Sequence, residues 1–133
     1  MLSLRLDWGN GYIDDPTWDQ VAQAIEASQK NGCAVTMYNK AAESSDAKWL
    51  MLEVDEDIGV FHPALLFEPT DMRFFENING GAETIEFNAN EASTGVLTDD
   101  IETVLRLAKE FYETGDVKEM KGWDELFFNI KKD

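Results

Sequence analysis

Residues 99–115 read DDIETVLRLAKEFYETG, and this stretch decides one half of the fold. Its apolar side chains recur at the spacing of one helix face: Ile101, Val104, Leu105, Ala108, Phe111 and Tyr112. Asp99 and Glu102 have the spacing of a capping box, so we expect the helix to begin at Thr98 or Asp99. Gly115 should end it, because glycine readily adopts the left-handed conformation of a helix C-terminus. The stretch therefore predicts an amphipathic helix.

The first third of the chain predicts a strand followed by another helix. Polar residues alternate with three leucines: Leu2, Leu4 and Leu6. This alternation is typical of a half-buried strand. Asp15 as N-cap and Pro16 at the first helical position predict where the helix begins. Asn31 and Gly32 predict where it ends.

The middle of the chain predicts a series of strands. Five segments have strand composition and are separated by short polar connections: residues 34–38, 48–54, 58–67, 72–78 and 83–87. In the second of them we expect Trp49 and Met51 to be buried, with Leu50 and Leu52 as further candidates. Asn79-Gly80-Gly81 predicts a tight hairpin between the last two segments.

Short connections between strands favour hairpins over crossovers. The sequence therefore predicts an α+β fold: a single antiparallel β-sheet, in a meander, with two main helices packed on one face. A chain of 133 residues with 44% hydrophobic residues is expected to form one domain, residues 1–133, with a core of its own.

The chain is strongly acidic. It has 27 Asp and Glu against 11 Lys and Arg, a net charge of −16. Such a charge repels nucleic acid and anionic membranes, so neither is expected as a partner. It fits two interpretations, a basic protein partner or a surface that is merely soluble, and composition leaves both open.

The sequence predicts a cytoplasmic protein. Residues 1–8 contain no basic region followed by an apolar run, and no stretch reaches the length of a transmembrane helix. Cys33 is the single cysteine, so no disulfide can form within the chain, as is usual in a reducing compartment. Its neighbours Gly32 and Ala34 predict that Cys33 is a buried small hydrophobe.

Motifs that carry catalysis are missing from the sequence. His62 is the single histidine, lies between Phe61 and Pro63, and is predicted to be a partly buried structural residue. Residues 55–59 (DEDIG) begin like a calcium loop, but the sixth and twelfth positions hold Val60 and Leu66 instead of Gly and Glu. We therefore predict no catalytic residue, no metal site and no cofactor.

Six acidic residues are the candidates for partner binding. Five lie in or beside predicted turns, Asp55, Glu56, Asp57, Glu68 and Asp71, and the sixth is Glu76. Loops at one end of a sheet can combine into a negative face that mimics phosphate and meets a basic cleft. Four aromatic residues could add a slow dissociation rate if they are exposed instead of buried in the core: Trp49, Phe61, Phe74 and Phe75.

Residues 111–115 (FYETG), followed by residues 123–126 (WDEL), resemble the C-terminal signature of a family of bacterial immunity proteins. That family neutralises polymorphic toxins, typically deaminase-fold toxins that act on nucleic acid. Here residues 116–122 replace the stretch in which members often carry a proline. The resemblance implies a small cytoplasmic α+β domain in which Gly115 and Trp123 are structural, with Trp123 anchoring the tail.

The function implied by the resemblance is that of an immunity protein, without enzyme activity. It would bind a cognate, basic toxin domain and cover its active site. The residues themselves leave two alternatives: a small acidic enzyme that uses carboxylates or a metal, and a generic protein-interaction domain.

Overall fold

The computed structural model describes residues 2–9, 11–55, 57–68, 71–81 and 83–122. The elements in this part of the chain, in order, are β1 (Leu4–Trp8), β2 (Gly11–Asp14), α1 (Trp18–Asn31), β3 (Val35–Asn39), β4 (Trp49–Asp55), β5 (Val60–Glu68), β6 (Asp71–Phe74), β7 (Thr84–Phe87), β8 (Asn90–Ser93), a 3₁₀ turn (Thr94–Val96), α2 (Ile101–Thr114) and β9 (Lys121–Gly122).

The strands form one large antiparallel sheet and one small hairpin. The large sheet has seven strands in the order β2-β1-β3-β4-β5-β6-β9, and β7 pairs only with β8. Strands β3 to β6 follow one another as a meander, and both helices pack against the sheet. The predicted α+β fold, an antiparallel sheet with two helices packed against it, is confirmed, and the structure adds a small separate β7–β8 hairpin.

The core lies between one face of the sheet and the two helices. Directly paired residues of antiparallel strands point to the same face. The register therefore places Leu6, Met37, Leu50 and Leu65 in one row across four strands, and each is at most 1% exposed. The helices contribute further buried side chains to the same core: Val21, Ile25, Val104, Leu107, Ala108 and Phe111.

The predicted burial of β4 is wrong for two residues. Leu50 and Leu52 are buried, whereas Trp49 and Met51 are half-buried on the opposite face. Four consecutive apolar residues occupy both faces of the strand, so alternation alone could not choose between them. The helices, which cover only the face of Leu50 and Leu52, make the choice.

Both helices begin later than predicted. The cap of α1 is Thr17, whose Oγ1 accepts the Gln20 N–H at 3.2 Å, while Gln20 Oε1 accepts the Thr17 N–H at 2.9 Å. Asp15 instead ends the β1–β2 hairpin, with a φ of 49°. The cap of α2 is Asp100, one residue beyond the predicted Asp99.

Both helices end where the sequence predicted. Gly32 and Gly115 are in the left-handed conformation, with φ of 75° and 77°. At Gly115 a Cβ atom would also lie 2.9 Å from Leu2 Cδ2 and 3.0 Å from Asn39 Nδ2. The structural role predicted for Gly115 is therefore confirmed, while its companion Trp123 lies outside the described residues.

The hairpin predicted at Asn79-Gly80-Gly81 does not form. Strand β7 turns instead at Asn88 and Ala89, which both have positive φ (49° and 67°), as the central residues of a type I′ turn require. Asn77 explains the difference, because its N–H donates to the Gly95 carbonyl at 2.8 Å and its Nδ2 to the Leu97 carbonyl at 2.8 Å. The loop is thereby held against the 3₁₀ turn.

Cys33 is exposed, so its predicted burial is wrong. The residue directly follows the C-cap Gly32 of α1 and lies two residues before Val35, the first residue of β3. Its backbone N–H donates to the Asn31 side chain at 2.8 Å, which holds the connection at the surface.

Candidate protein-binding surface

The acidic residues predicted to bind a partner do not form one cluster. Asp57 lies in the turn between β4 and β5, whereas Glu68 and Asp71 face each other at the β5–β6 hairpin. These two turns are at opposite ends of β5, whose length is roughly 25 Å at about 3.3 Å per residue. Glu76 follows β6 and accepts a hydrogen bond from Lys121 Nζ at 2.8 Å. Glu56 lies outside the described residues.

Asp55 has a structural position. It is 8% exposed, and its two carboxylate oxygens accept the backbone N–H groups of Asp57 at 3.0 Å and of Asn88 at 2.9 Å. Asn88 also donates from its side chain to the Val54 carbonyl at 3.3 Å. Asp55 therefore fastens the β7–β8 hairpin to the main sheet and is not available to a partner.

Several cations of the chain are already paired with its own carboxylates. The ion pairs are Arg5–Asp7, Lys40–Asp14, Lys48–Glu68, Arg106–Glu119 and Lys121–Glu76. The hydrogen bond with Asp14 raises the pKa of Lys40. Because 27 carboxylates face only 11 cations, a large excess of negative charge is left without an internal counterpart.

The face of the sheet opposite the helices carries the feature that sequence reasoning missed. Its half-buried or exposed side chains, here called the open sheet face, are Arg5, Tyr12, Tyr38, Trp49, Met51, Leu66 and Met72. Trp49 was predicted as a core residue, with partner binding as the alternative if its side chain proved exposed. Apolar side chains on both faces of one strand, in a fold with helices on one face, are the pattern that could have revealed this surface.

The open sheet face combines aromatic rings, one cation and carboxylates. Trp49 stacks on Tyr38 with ring centroids 5.4 Å apart. Arg5 Cζ lies 5.5 Å from the Tyr12 ring and 5.6 Å from the Tyr38 ring, and Arg5 Nε is 3.2 Å from Asp7. Arg5 thus lies among two aromatic rings and a carboxylate, and a surface of this composition attracts cationic groups.

Three carboxylates share this face by strand register. Asp7 is opposite Thr36, which is opposite Met51; Asp14 is opposite Arg5; and Glu53 is opposite His62. The face therefore has an aromatic and apolar centre with acidic residues around it, the composition expected to bind a partner with apolar and cationic side chains.

The other end of the same face is covered by the β7–β8 hairpin. His62 stacks on Phe74 at 5.5 Å and lies 5.8 Å from Phe87, which belongs to a small cluster with Val96 and Leu97. Burial lowers the pKa of His62, and the nearby charge of Glu53 opposes this shift. The prediction that His62 is partly buried is confirmed.

In the part of the chain that the structure describes, no group of three or more His, Cys, Asp or Glu residues is placed to hold a metal ion. Likewise, neither helix there has the length and apolar character that a membrane crossing requires.

Comparison with known proteins gives a family and a fold. Residues 5–121 match the profile of a family of unknown function (DUF6911). A crystal structure of a hypothetical protein from Neisseria gonorrhoeae is similar, with a TM-score of 0.66 over 87% of this chain and 90% of that chain. The two sequences are 11% identical, so the similarity concerns the fold alone. The search of curated proteins gives no significant match.

Proposed function

The chain belongs to DUF6911, a family of unknown function, and we propose that it is an inhibitory binding protein of the immunity type. In this proposal it binds a basic, nucleic-acid-targeting bacterial toxin domain and covers the toxin's active site. The partner is a protein, and the chain contributes a binding surface without catalysis.

The observation that carries the proposal is the open sheet face. Tyrosine, tryptophan and arginine dominate the binding energy of protein interfaces, and this face presents Tyr38, Trp49 and Arg5 together. Trp49 and Tyr38 are already stacked in the free protein, so less side-chain entropy is lost when a partner binds. A soluble domain with no partner has little reason to keep such a row half-exposed.

The excess negative charge supports a basic partner. An enzyme that acts on nucleic acid binds phosphates through a cationic cleft. Around the apolar centre, Asp7 and Asp14 are paired with Arg5 and Lys40, and Glu53 is exposed; carboxylates at the rim of such a surface can meet the cleft in place of phosphates. The same charge accelerates association through long-range attraction.

The proposed compartment is the cytoplasm. Cys33 is a free thiol at the surface, and exposed single thiols are compatible with reducing conditions. A toxin that modifies nucleic acid would also have to be neutralised there.

The direct test looks for a toxin domain encoded beside this gene and co-expresses it with this chain; the absence of such a domain would count against the proposed function. We expect growth to be rescued and the purified proteins to form a tight complex. Raising the salt concentration should lower the association rate by about tenfold or more and change the dissociation rate much less, because steering is screened by ions. If the neighbouring toxin still stops growth and no complex forms, the proposed function is wrong.

A further inference from the structure

The outer edge of β2 has backbone groups that pair with no strand in the part of the chain that the structure describes. The Asp15 N–H donates to the Leu4 carbonyl at 2.7 Å, and the register pairs Leu6 with Ile13. Since hydrogen bonds alternate along antiparallel strands, Ile13 bonds to β1, whereas the N–H and C=O groups of Tyr12 and Asp14 point away from it. Within the described residues β2 is the last strand on this side of the sheet.

A cleft of about 390 Å³ runs beside this edge, on the helix side of the sheet. Leu6 and Ile13 line it from the strands, and Ala24 and Ala27 line it from α1. The two alanines leave a space between helix and strand that larger side chains would fill. The helix layer therefore stops short of β2 and leaves a recess next to the free backbone edge.

We infer that β2 accepts an extended, cationic segment of the partner protein as an additional antiparallel strand of the sheet. Main-chain hydrogen bonds to Tyr12 and Asp14 would hold the segment, and alternate side chains would fall on the two faces of the sheet. One set lies beside Tyr12, which is 64% exposed, and continues the open sheet face. The other set enters the cleft beside Ile13.

The charge at the β2 edge favours a cationic segment over a second copy of this chain. Asp14 and Asp15 lie at the end of β2, Asp7 is opposite Tyr12, and Asp19 is in the first turn of α1. Arg5 pairs with Asp7, and Lys40 pairs with Asp14 and has its Nζ 4.0 Å from Asp15, so four carboxylates meet two cations and the edge keeps a net negative charge. These carboxylates repel a second copy of this chain, because like charges in neighbouring strands are destabilising. They attract lysine and arginine. The inference rests on the proposed function for the identity of the partner, and it adds the mode of binding.

The probe for this edge is a peptide of about eight residues that alternates valine and arginine, a length typical of strands. Its control has the same composition, with the valines and arginines in separate blocks. Both are titrated into ¹⁵N-labelled protein while amide exchange is followed. We expect the alternating peptide to slow exchange at the Tyr12 and Asp14 amides at least about tenfold, as burial in a new ladder requires. The block peptide should not.

Two variants separate the edge from the face. Tyr12→Pro removes an outward N–H but no hydrogen bond to β1, and it should weaken peptide binding at least about tenfold. Tyr12→Ala keeps that N–H and should lose less. Ala27→Trp fills the cleft from an exposed helix position and should also weaken binding, which provides a second measure if Tyr12→Pro folds poorly.

The inference is overturned if amide exchange at Tyr12 and Asp14 is unchanged and the chemical shifts move only around Trp49 and Tyr38. It is also overturned if both peptides bind equally well. Its failure differs from failure of the proposed function. If a toxin binds wild type, Tyr12→Pro and Ala27→Trp equally well, the proposed function stands and the strand addition is wrong. If the toxin is not neutralised but the peptide protects the Tyr12 and Asp14 amides, the strand addition stands and the proposed function is wrong.

Discussion

The indole ring of Trp49 stacks on the ring of Tyr38, with their centroids 5.4 Å apart, on the face of the sheet opposite α1 and α2. The two residues are direct cross-strand partners in β3 and β4, so the backbone register fixes the stack. Leu66 continues the row from Trp49 and Met72 continues it from Leu66. The result is a rigid, half-exposed apolar strip, which is the kind of surface that anchors a protein partner.

Trp49→Ala should therefore weaken binding of the proposed toxin partner at least about tenfold, because interface tryptophans often contribute about 2 kcal/mol or more. The half-exposed position predicts a smaller loss of stability, about 1–2 kcal/mol, so the variant should stay folded. Binding is measured by calorimetry and stability by urea unfolding. The matched control is Trp18→Ala on α1, which packs on Tyr112 away from the open sheet face. Equal losses for both variants would contradict an interface at Trp49.

The predictable parts of the fold are the elements whose apolar residues recur at one clear spacing, that of a single helix face or a single strand face. The stripe of α2 has a single helical face and a glycine at its end, and the structure contains the helix and its stop at Gly115. In β4, apolar residues occupy both faces, so sequence alone could not tell which face meets the helices. Strands β2 and β9, with 4 and 2 residues, are too short to show alternation.

The candidate site was less predictable than the fold. The acidic loops are visible in the sequence, but two loops share one end of a meander only when an even number of strands separates them, and this depends on where each strand begins and ends. Asp57 and Glu68 lie at opposite ends of β5 for this reason. Asn79-Gly80 has the composition of a hairpin turn, yet the small size of Gly80 serves a close contact with Thr94 instead.

Asp55→Ala should destabilise the protein by about 2–3 kcal/mol, because two backbone N–H groups lose a charged acceptor. The matched control, Asp57→Ala, alters an exposed carboxylate two residues further along the chain and should stay within about 0.5 kcal/mol of wild type. Urea unfolding measures both. If Asp57→Ala proves as destabilising as Asp55→Ala, the structural role assigned to Asp55 is wrong.

Two neighbouring glycines should respond differently to alanine. At Gly80 a Cβ atom would lie 2.3 Å from the Thr94 carbonyl oxygen, so the loop must move away from the 3₁₀ turn. We expect Gly80→Ala to cost about 1–3 kcal/mol. At Gly81 no atom lies within 4 Å of the added carbon, so Gly81→Ala should be nearly neutral. Thermal unfolding of the two variants decides the matter, and equal melting temperatures would count against the close contact.

His62 should make stability depend on pH below neutrality. Burial lowers the pKa of His62 below its ordinary value of 6.5, while Glu53, its partner across β4 and β5, pulls in the opposite direction. Below pH 6.5 the unfolded chain therefore binds a proton that the folded chain does not, and stability falls as pH drops towards the folded pKa, with a slope of at most about 1.4 kcal/mol per pH unit. Above pH 6.5 this contribution to stability is fully present. His62→Gln should remove it, so the difference in unfolding free energy between variant and wild type should shift in favour of the variant between pH 7 and pH 5.

The pKa of His62 can be followed directly by NMR, since His62 is the only histidine in the sequence. Glu53→Gln should lower the pKa of His62 further, because the Glu53 charge raises it. A folded-state pKa at or above 6.5, or parallel stability curves for wild type and His62→Gln, would show that burial does not control this residue.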